Sequence, residues 1–440
     1  MLIIQDAIGY EYLGKLLNDQ GWLAYFQTGP NREPVYPFLI SISMRLGDYL
    51  HLPYAFIQKY VHIILMLLTQ CLVWKILDQL KTHTLLICAA LLYIAFSPAL
   101  INSTFSLFCE IATYPFILLL LLCLTRSWMI IQNDQTKIKM VSVWAIRSAL
   151  LSILLTLQKG VFELIIPILV LPFLFIFFSH LKNNKQKCVG AFLFSLIFLL
   201  GFYSAISIYK GLNQKFNGQY VVTNRGSFAL YGNIARRNQP LNAERLKTAW
   251  AFVPGENVCI DLFGHDACRF WSYRISDDLA KEKEAQLTAQ NLSQAQISKE
   301  FNKSAIQLFR SNPFKQIFFM GLESLKMFFW ETRNNIGFVV YPSWMTQFYE
   351  HRAFFYILSF VTATFALISL IYTLVWLTKN ASNEYRFAFL LFSIILTLSF
   401  IGLHSFFFVL PRYALPIVPL FVILIAFLLQ QTIINKIKES

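Results

Sequence analysis

Lys187-Cys188-Val189-Gly190-Ala191-Phe192-Leu193-Phe194-Ser195-Leu196-Ile197-Phe198-Leu199-Leu200-Gly201-Phe202-Tyr203-Ser204-Ala205-Ile206-Ser207-Ile208-Tyr209 carries no charge after its first residue. A helix needs roughly 20 apolar residues to cross the hydrocarbon core of a bilayer, and this run supplies them. It has equivalents on both sides. Reading outward, apolar runs recur at 54–77, 83–101, 111–131, 141–157, 161–180, 352–377, 386–404 and 412–434. Prolines at 115, 167, 172, 416 and 419 interrupt several of them, which neighbouring helices make tolerable by re-satisfying the freed carbonyls.

Composition agrees. Of 440 residues 57% are hydrophobic and 14% charged, with 43 Phe, where a soluble domain is about a quarter charged. The fold class expected is an all-α polytopic membrane protein, a bundle of about nine transmembrane helices with a small helical subdomain outside the membrane. Four regions follow: a first loop at 1–53, six spans within 54–209, a large loop at 210–351, and three spans within 352–440.

The net charge of +14 is a matter of topology. One set of short loops holds Lys75, Lys81, Arg126, Lys137, Lys139, Arg147, Lys182, Lys185, Lys187, Lys379, Arg386, Lys436 and Lys438, while the opposite set holds little beyond Lys159 and Arg412. By the positive-inside rule the first set and the C-terminus are cytoplasmic, and residues 1–50 and 210–351 lie outside. No basic-aromatic pattern points to nucleic acid.

The first loop opens with Asp6, which heads an amphipathic stretch (6–20) placing Ile8, Tyr12 and Leu16, with Leu13 and Leu17, on one face; Gly21 stops it. Asn31-Arg32-Glu33-Pro34-Val35-Tyr36-Pro37 follows, with Pro34 and Pro37 expected to hold Glu33 and Tyr36 extended. Residues 38–50 are too short to span and read as a shallow or re-entrant helix. In the large loop, 277–309 has helical spacing (Leu279, Leu287, Leu292, Ile297, Ile306), Ser311-Asn312-Pro313 closes that helix, and a Phe-rich amphipathic segment at 314–330 rests on the bilayer. Glu110, Lys159 and Arg412 stand at the outer ends of spans, as site residues or as side chains snorkelling to the interface.

Cys259 and Cys268 are alone together in the outer loop, where an oxidising compartment favours a disulfide. Asp261, His265 and Asp266 lie between them; spacing alone does not make these a metal site.

The order of an acidic residue opening the first outer loop and then Arg32-Glu33-Pro34-Val35-Tyr36-Pro37 resembles the GT-C fold membrane glycosyltransferases, and in particular glycosyltransferase family 39, the dolichyl-phosphate-mannose-protein mannosyltransferase-like enzymes. Pro98 and Glu110, the turn around Lys159, Ala305-Ile306-Gln307-Leu308-Phe309-Arg310-Ser311-Asn312-Pro313 and Pro411-Arg412-Tyr413-Ala414-Leu415-Pro416 extend the resemblance along the whole chain. Five residues precede Asp6; family members have a transmembrane helix there, so the expectation is a further helix upstream of Met1.

The resemblance implies an inverting transfer of a sugar from a polyprenyl-phosphate donor to an acceptor hydroxyl outside the cytoplasm. Asp6 is then the catalytic base, or else merely a helix cap. Arg32, Lys159 and Arg412 hold the leaving phosphate. Glu33 and Glu110 orient those cations or assist a divalent metal ion, and His404 supports the site. The implied partners are the lipid-linked donor, a lipid, protein or glycan acceptor and the membrane lipids, with no nucleic acid. The implied location is a bacterial inner membrane, in the service of the cell envelope. A polymerase or ligase of lipid-linked polysaccharide would instead place essential arginines in the large loop, where Arg225, Arg236 and Arg237 are available. A transporter would show ionisable residues in mid-span and repeat symmetry, and an inactive relative of the fold is a further alternative.

Overall fold

The computed structural model describes residues 3, 4, 6–133, 138–333, 337, 339–380 and 384–434, and every regular element among them is helical. Three helices precede the first span: α1 (Asp6–Asp19), α2 (Gly21–Gln27) and α3 (Val35–Leu50). The first membrane block follows as α4 (Tyr54–Gln79), α5 (Thr84–Phe96), α6 (Pro98–Phe105), α7 (Glu110–Gln132), α8 (Ile138–Gln158), α9 (Phe162–Ile168), α10 (Leu171–His180) and α11 (Lys185–Asn217). The large loop folds as α12 (Arg225–Asn238), α13 (Ala243–Ala251), α14 (Glu256–Phe263), α15 (His265–Arg269), α16 (Tyr273–Thr288), α17 (Gln294–Ser311) and α18 (Pro313–Ser324). The chain returns through α19 (Ser343–Glu350) to α20 (Arg352–Lys379), α21 (Tyr385–Phe406), a tight turn at Pro411–Ile417 and α22 (Val418–Leu429).

Eight helical stretches are long and apolar enough to cross a membrane, and nine if the bent pair α5–α6 counts as one. The chain is an all-α polytopic membrane protein. The spans through α7 and α22 have 67% of their apolar window buried and α21 has 61%, against 39% for the others, so these three form the centre of the bundle. The outer helices turn Ile64, Leu67, Phe175, Phe178 and Ile208 outward, as spans facing acyl chains must.

Several local expectations change. The run at 83–101 is not one straight span: it bends by 52° between α5 and α6. Pro98 has no N–H to continue the helix and Ser97, the residue before it, is driven out of helical geometry. Glu331 holds the bend, accepting from the hydroxyl of Tyr93 at 2.6 Å, the backbone N–H of Ala99 at 3.2 Å and the hydroxyl of Ser97. Tyr36 and Pro37 are not extended; both lie in the first turn of α3, where a missing N–H is no loss. Of the face expected on α1, Leu13, Leu16 and Leu17 are buried but Ile8 and Tyr12 are exposed, because Ala7, Tyr10 and Gly14 complete the buried face in their place; the Cβ an alanine would add at Gly14 would lie 2.5 Å from Ile40 of α3. Gly21 begins α2 with φ +79° rather than simply stopping α1. The helix expected over 277–309 is two helices, broken around Asn291 at φ 55°, and a Ser293–Gln296 capping box restarts the second. That break lets both pack on α12, where Gly232 meets the carbonyl of Ser276 with no room for a Cβ.

The loop subdomain has its own core of Phe252, Trp271, Phe319 and Leu322 around the Cys259–Cys268 disulfide, whose Cα atoms are 5.9 Å apart. On α18 the apolar Phe314, Ile317 and Phe318 remain exposed, the face expected to lie on the bilayer. The subdomain is clamped to the bundle by Arg237, whose guanidinium donates to the carbonyl of Ser405 at 2.6 Å, and by Asn233, which donates to that of Phe407 at 2.7 Å.

Candidate active site

The two helices before α3 dock on the end of the bundle where α4 and α7 begin and α8 and α11 finish. Asn217, the last residue of α11, donates to the carbonyl of Phe26 at 2.6 Å, and Gln158, the last of α8, donates to that of Cys109 at 2.8 Å, just before α7. This end carries the charge cluster.

Asp6 is its centre. Arg32 donates to one carboxylate oxygen at 2.5 Å and Arg412 to the other at 2.5 Å, with Arg225 3.9 Å from the first. Three segments far apart in sequence thus bring three guanidiniums to one carboxylate. Arg32 and Arg412 are mostly buried, at 11% and 15% side-chain exposure, whereas Arg225 is 55% exposed and Asp6 31%. Burial alone would raise the pKa of Asp6; the charges of Arg412 and Arg32 overcome it and hold the carboxyl down at about 2. The same proximity to Tyr10 and Asp6 outweighs burial at Arg32 and holds its guanidinium protonated.

The cations are fixed from behind by aromatic rings. Arg32 stacks over Tyr10 at 4.6 Å, and Arg412 over Phe108 at 5.2 Å and Tyr413 at 5.7 Å, an arrangement that suits guanidinium groups better than ammonium ions. Tyr10 donates to the Cys109 sulfur at 3.1 Å. Next to Cys109, Glu110 pairs with Lys159 at 3.2 Å, and the Lys159 ammonium lies 5.4 Å over the Tyr413 ring. Glu33 accepts from the backbone N–H of Gly160 at 2.6 Å, tying the Asn31–Pro37 segment to the turn between α8 and α9.

The structure therefore gathers Asp6, Arg32 and Arg412 in direct contact and sets Glu110–Lys159 and Glu33 beside them. Lys159 faces its own carboxylate partner rather than Asp6. His404 is buried behind Tyr413, with ring centroids 5.8 Å apart and Nδ1 2.9 Å from the Phe400 carbonyl of its own helix. Cys259 and Cys268 lie in the loop subdomain core, away from the cluster. A divalent metal does not fit the carboxylates present. Asp6 is taken by guanidiniums, Glu110 by Lys159 and Glu33 by a backbone N–H, and among the described residues no group of three or more His, Cys, Asp or Glu could hold a metal ion. His265 and Asp266 point to solvent.

Arg225, one of the loop arginines available to a polymerase or ligase, lies 3.9 Å from Asp6. Arg236 and Arg237 go the other way. Both are fully buried on the Glu323 carboxylate, with Lys326 3.9 Å from the same group. Tyr10, Phe108 and Cys109 carried no sequence signal as site residues, since an aromatic or a cysteine beside a span reads as packing. A cavity of about 710 Å³ lies at the opposite end of α7, lined mostly by apolar groups such as Trp128, Pro172 and Phe175, and takes no part in this cluster. Among known protein families, curated proteins and solved structures, nothing matches the chain.

Proposed function

We propose that the chain is a GT-C-like glycosyltransferase that moves a sugar from a polyprenyl phosphate to an acceptor hydroxyl, acting at the end of the bundle that carries Asp6. The observation that carries this reading is the convergence of Arg32, Arg225 and Arg412 on the Asp6 carboxylate. One carboxylate leaves three guanidiniums with excess positive charge at the head of the bundle, which suits a phosphate anchored by its lipid tail. The Lys and Arg bias of the short loops puts this end away from the cytoplasm, consistent with a bacterial inner membrane.

In the reaction, the donor phosphate competes with Asp6 for the guanidiniums. As they turn to the phosphate, the Asp6 carboxylate loses the partners that keep its pKa low and becomes a better base. Asp6 takes the proton of the acceptor hydroxyl, and the acceptor oxygen attacks the anomeric carbon from the opposite face. The bond from that carbon to the phosphate oxygen breaks, and the electron pair leaves on the polyprenyl phosphate held by Arg32, Arg225 and Arg412. Glu110 pairs with Lys159 over the Tyr413 ring behind the cluster, so this neutral pair supports Arg412 from behind without touching the phosphate. A polymerase or ligase reading has less support, because Arg236 and Arg237 are spent on Glu323.

The test is transfer in proteoliposomes from a radiolabelled polyprenyl-phosphate sugar. Asp6→Asn is expected to express and fold but transfer nothing, and Arg412→Ala to weaken donor use. Transfer at the wild-type rate by Asp6→Asn refutes the assignment; loss in a folded Arg236 variant with Asp6→Asn active favours the polymerase or ligase.

A further inference from the structure

Beside the charge cluster lies a cavity of about 580 Å³, bounded by the 28–31 turn, the end of α11, the start of α12, and α16 and α17 of the loop subdomain. Its volume is within the roughly 300–1,000 Å³ of small-molecule sites. Its wall is unlike the rest of the molecule. Asn31, Asn217, Gln219, Asn224 and Gln294 contribute five carboxamides, with a paired Ser227 and Ser298 whose hydroxyls are 2.9 Å apart. Phe228 and Phe301 add apolar surface, edge to face at 5.8 Å. Gln219 is 7% exposed, and its Oε1 has no hydrogen-bond partner among the described residues; a buried acceptor of this kind is unfavourable unless something donates to it.

The cavity communicates with Asp6 by two routes. Arg225 lines it and lies 3.9 Å from the Asp6 carboxylate. Asn31 and Arg32 are neighbours in sequence, one lining the cavity and the other bonded to Asp6. The backbone N–H of Asn224 donates to the Pro30 carbonyl at 3.0 Å and joins the two walls.

The lining selects the ligand. Carboxamides and hydroxyls both donate and accept, which matches hydroxyl groups in either role. The two charged residues of its lining are Arg225, which faces Asp6, and Glu284, so no surplus of cations favours an acidic ligand. The wall mixes carboxamides and hydroxyls with Phe228, Ile297 and Phe301, which suits the polar edges and apolar face of a sugar ring better than an acyl chain, and the lining elements are helices and turns, with no strand edge to pair an extended peptide. We infer that this cavity binds the non-reducing or branching end of an uncharged glycan acceptor and presents one of its hydroxyls to Asp6. The inference rests on the transfer reading above for the fate of that hydroxyl, but not for the binding itself.

The experiment is retention of the detergent-solubilised full chain on a printed array of neutral and acidic oligosaccharides. Wild type is expected to be retained by a subset of neutral glycans. Gln219→Leu should cut retention at least tenfold, and so should Gln294→Ala, which changes an exposed rim residue and leaves folding intact. No retention on neutral glycans, retention by acidic glycans alone, or full retention by both Gln219→Leu and Gln294→Ala overturns the inference. Retention without any sugar transfer by wild type sinks the transfer reading while the glycan site stands; transfer to an acceptor with a blank array does the reverse.

Discussion

Removing the Asp6 carboxylate charge should change how stability depends on pH, by an amount the ion pairs set. The folded pKa of Asp6 is about 2 against an ordinary 3.8. A group lowered in this way stabilises the fold above its unfolded pKa, and that stabilisation disappears as pH falls from about 4 through about 2. At about 1.4 kcal/mol per tenfold change in proton affinity the full effect is ~2.4 kcal/mol. Solvent screening at a side chain 31% exposed reduces it to about 1–2 kcal/mol. For a chain of this size that is roughly 1–3 °C in apparent Tm. The assay is the thermal unfolding of the detergent-solubilised chain between pH 7 and about pH 2. Wild type should lose this increment on acidification and Asp6→Asn should not. Arg412→Gln removes a charge-assisted bond worth about 1.5–3 kcal/mol, so burial regains weight, the folded pKa of Asp6 rises toward its unfolded value and the acid-dependent loss should shrink or vanish. Superimposable curves for wild type and Asp6→Asn, or an Arg412→Gln curve identical to wild type, would show that the paired geometry does not govern the charge of Asp6.

Glu323→Gln should damage the loop subdomain far more than any surface change, by about 3–5 kcal/mol, because Arg236 and Arg237 are left buried without their carboxylate; trypsin sensitivity of the region 225–324 reads it, and wild-type resistance refutes it. Since Arg237 and Arg236 outweigh burial and hold the Glu323 carboxyl well below the usual carboxylate range, its contribution also declines through the acid window of Asp6 and goes on declining below it. Gly160→Ala puts a Cβ 3.0 Å from Glu33 Oε1 and 3.1 Å from Thr223, so the Glu33 hydrogen bond must lengthen; sugar transfer should fall several-fold with expression unchanged, and equal rates would remove Glu33 from the site. Cys259→Ser should abolish the mobility shift that wild type shows on reduction and destabilise the loop by roughly 2–3 kcal/mol; a wild type without any shift disproves the bond in the purified protein.

The fold class was legible in the chain because burial in lipid leaves a one-dimensional record. Each span must be about 20 apolar residues long, and the nine runs read from sequence correspond to α4, α5–α6, α7, α8, α9–α10, α11, α20, α21 and the segment ending in α22. Local stereochemistry was harder to read wherever packing overrode it. Pro37 reads as a stiff extended bend, yet α3 accepts it in its first turn, and Asn291 breaks a helix whose apolar spacing looks continuous. For the site, sequence alone determined which charged residues stand out from an apolar chain: Asp6, Arg32, Glu110, Lys159 and Arg412. Only the tertiary structure decided their partners. Arg412 reaches Asp6 across 406 positions and Lys159 turns to Glu110 instead. Arg225 and Arg236, eleven residues apart, go to the charge cluster and to a buried clamp. Hydropathy is a property of each segment by itself, whereas an ion pair depends on where two segments meet, and that is fixed by how the helices pack.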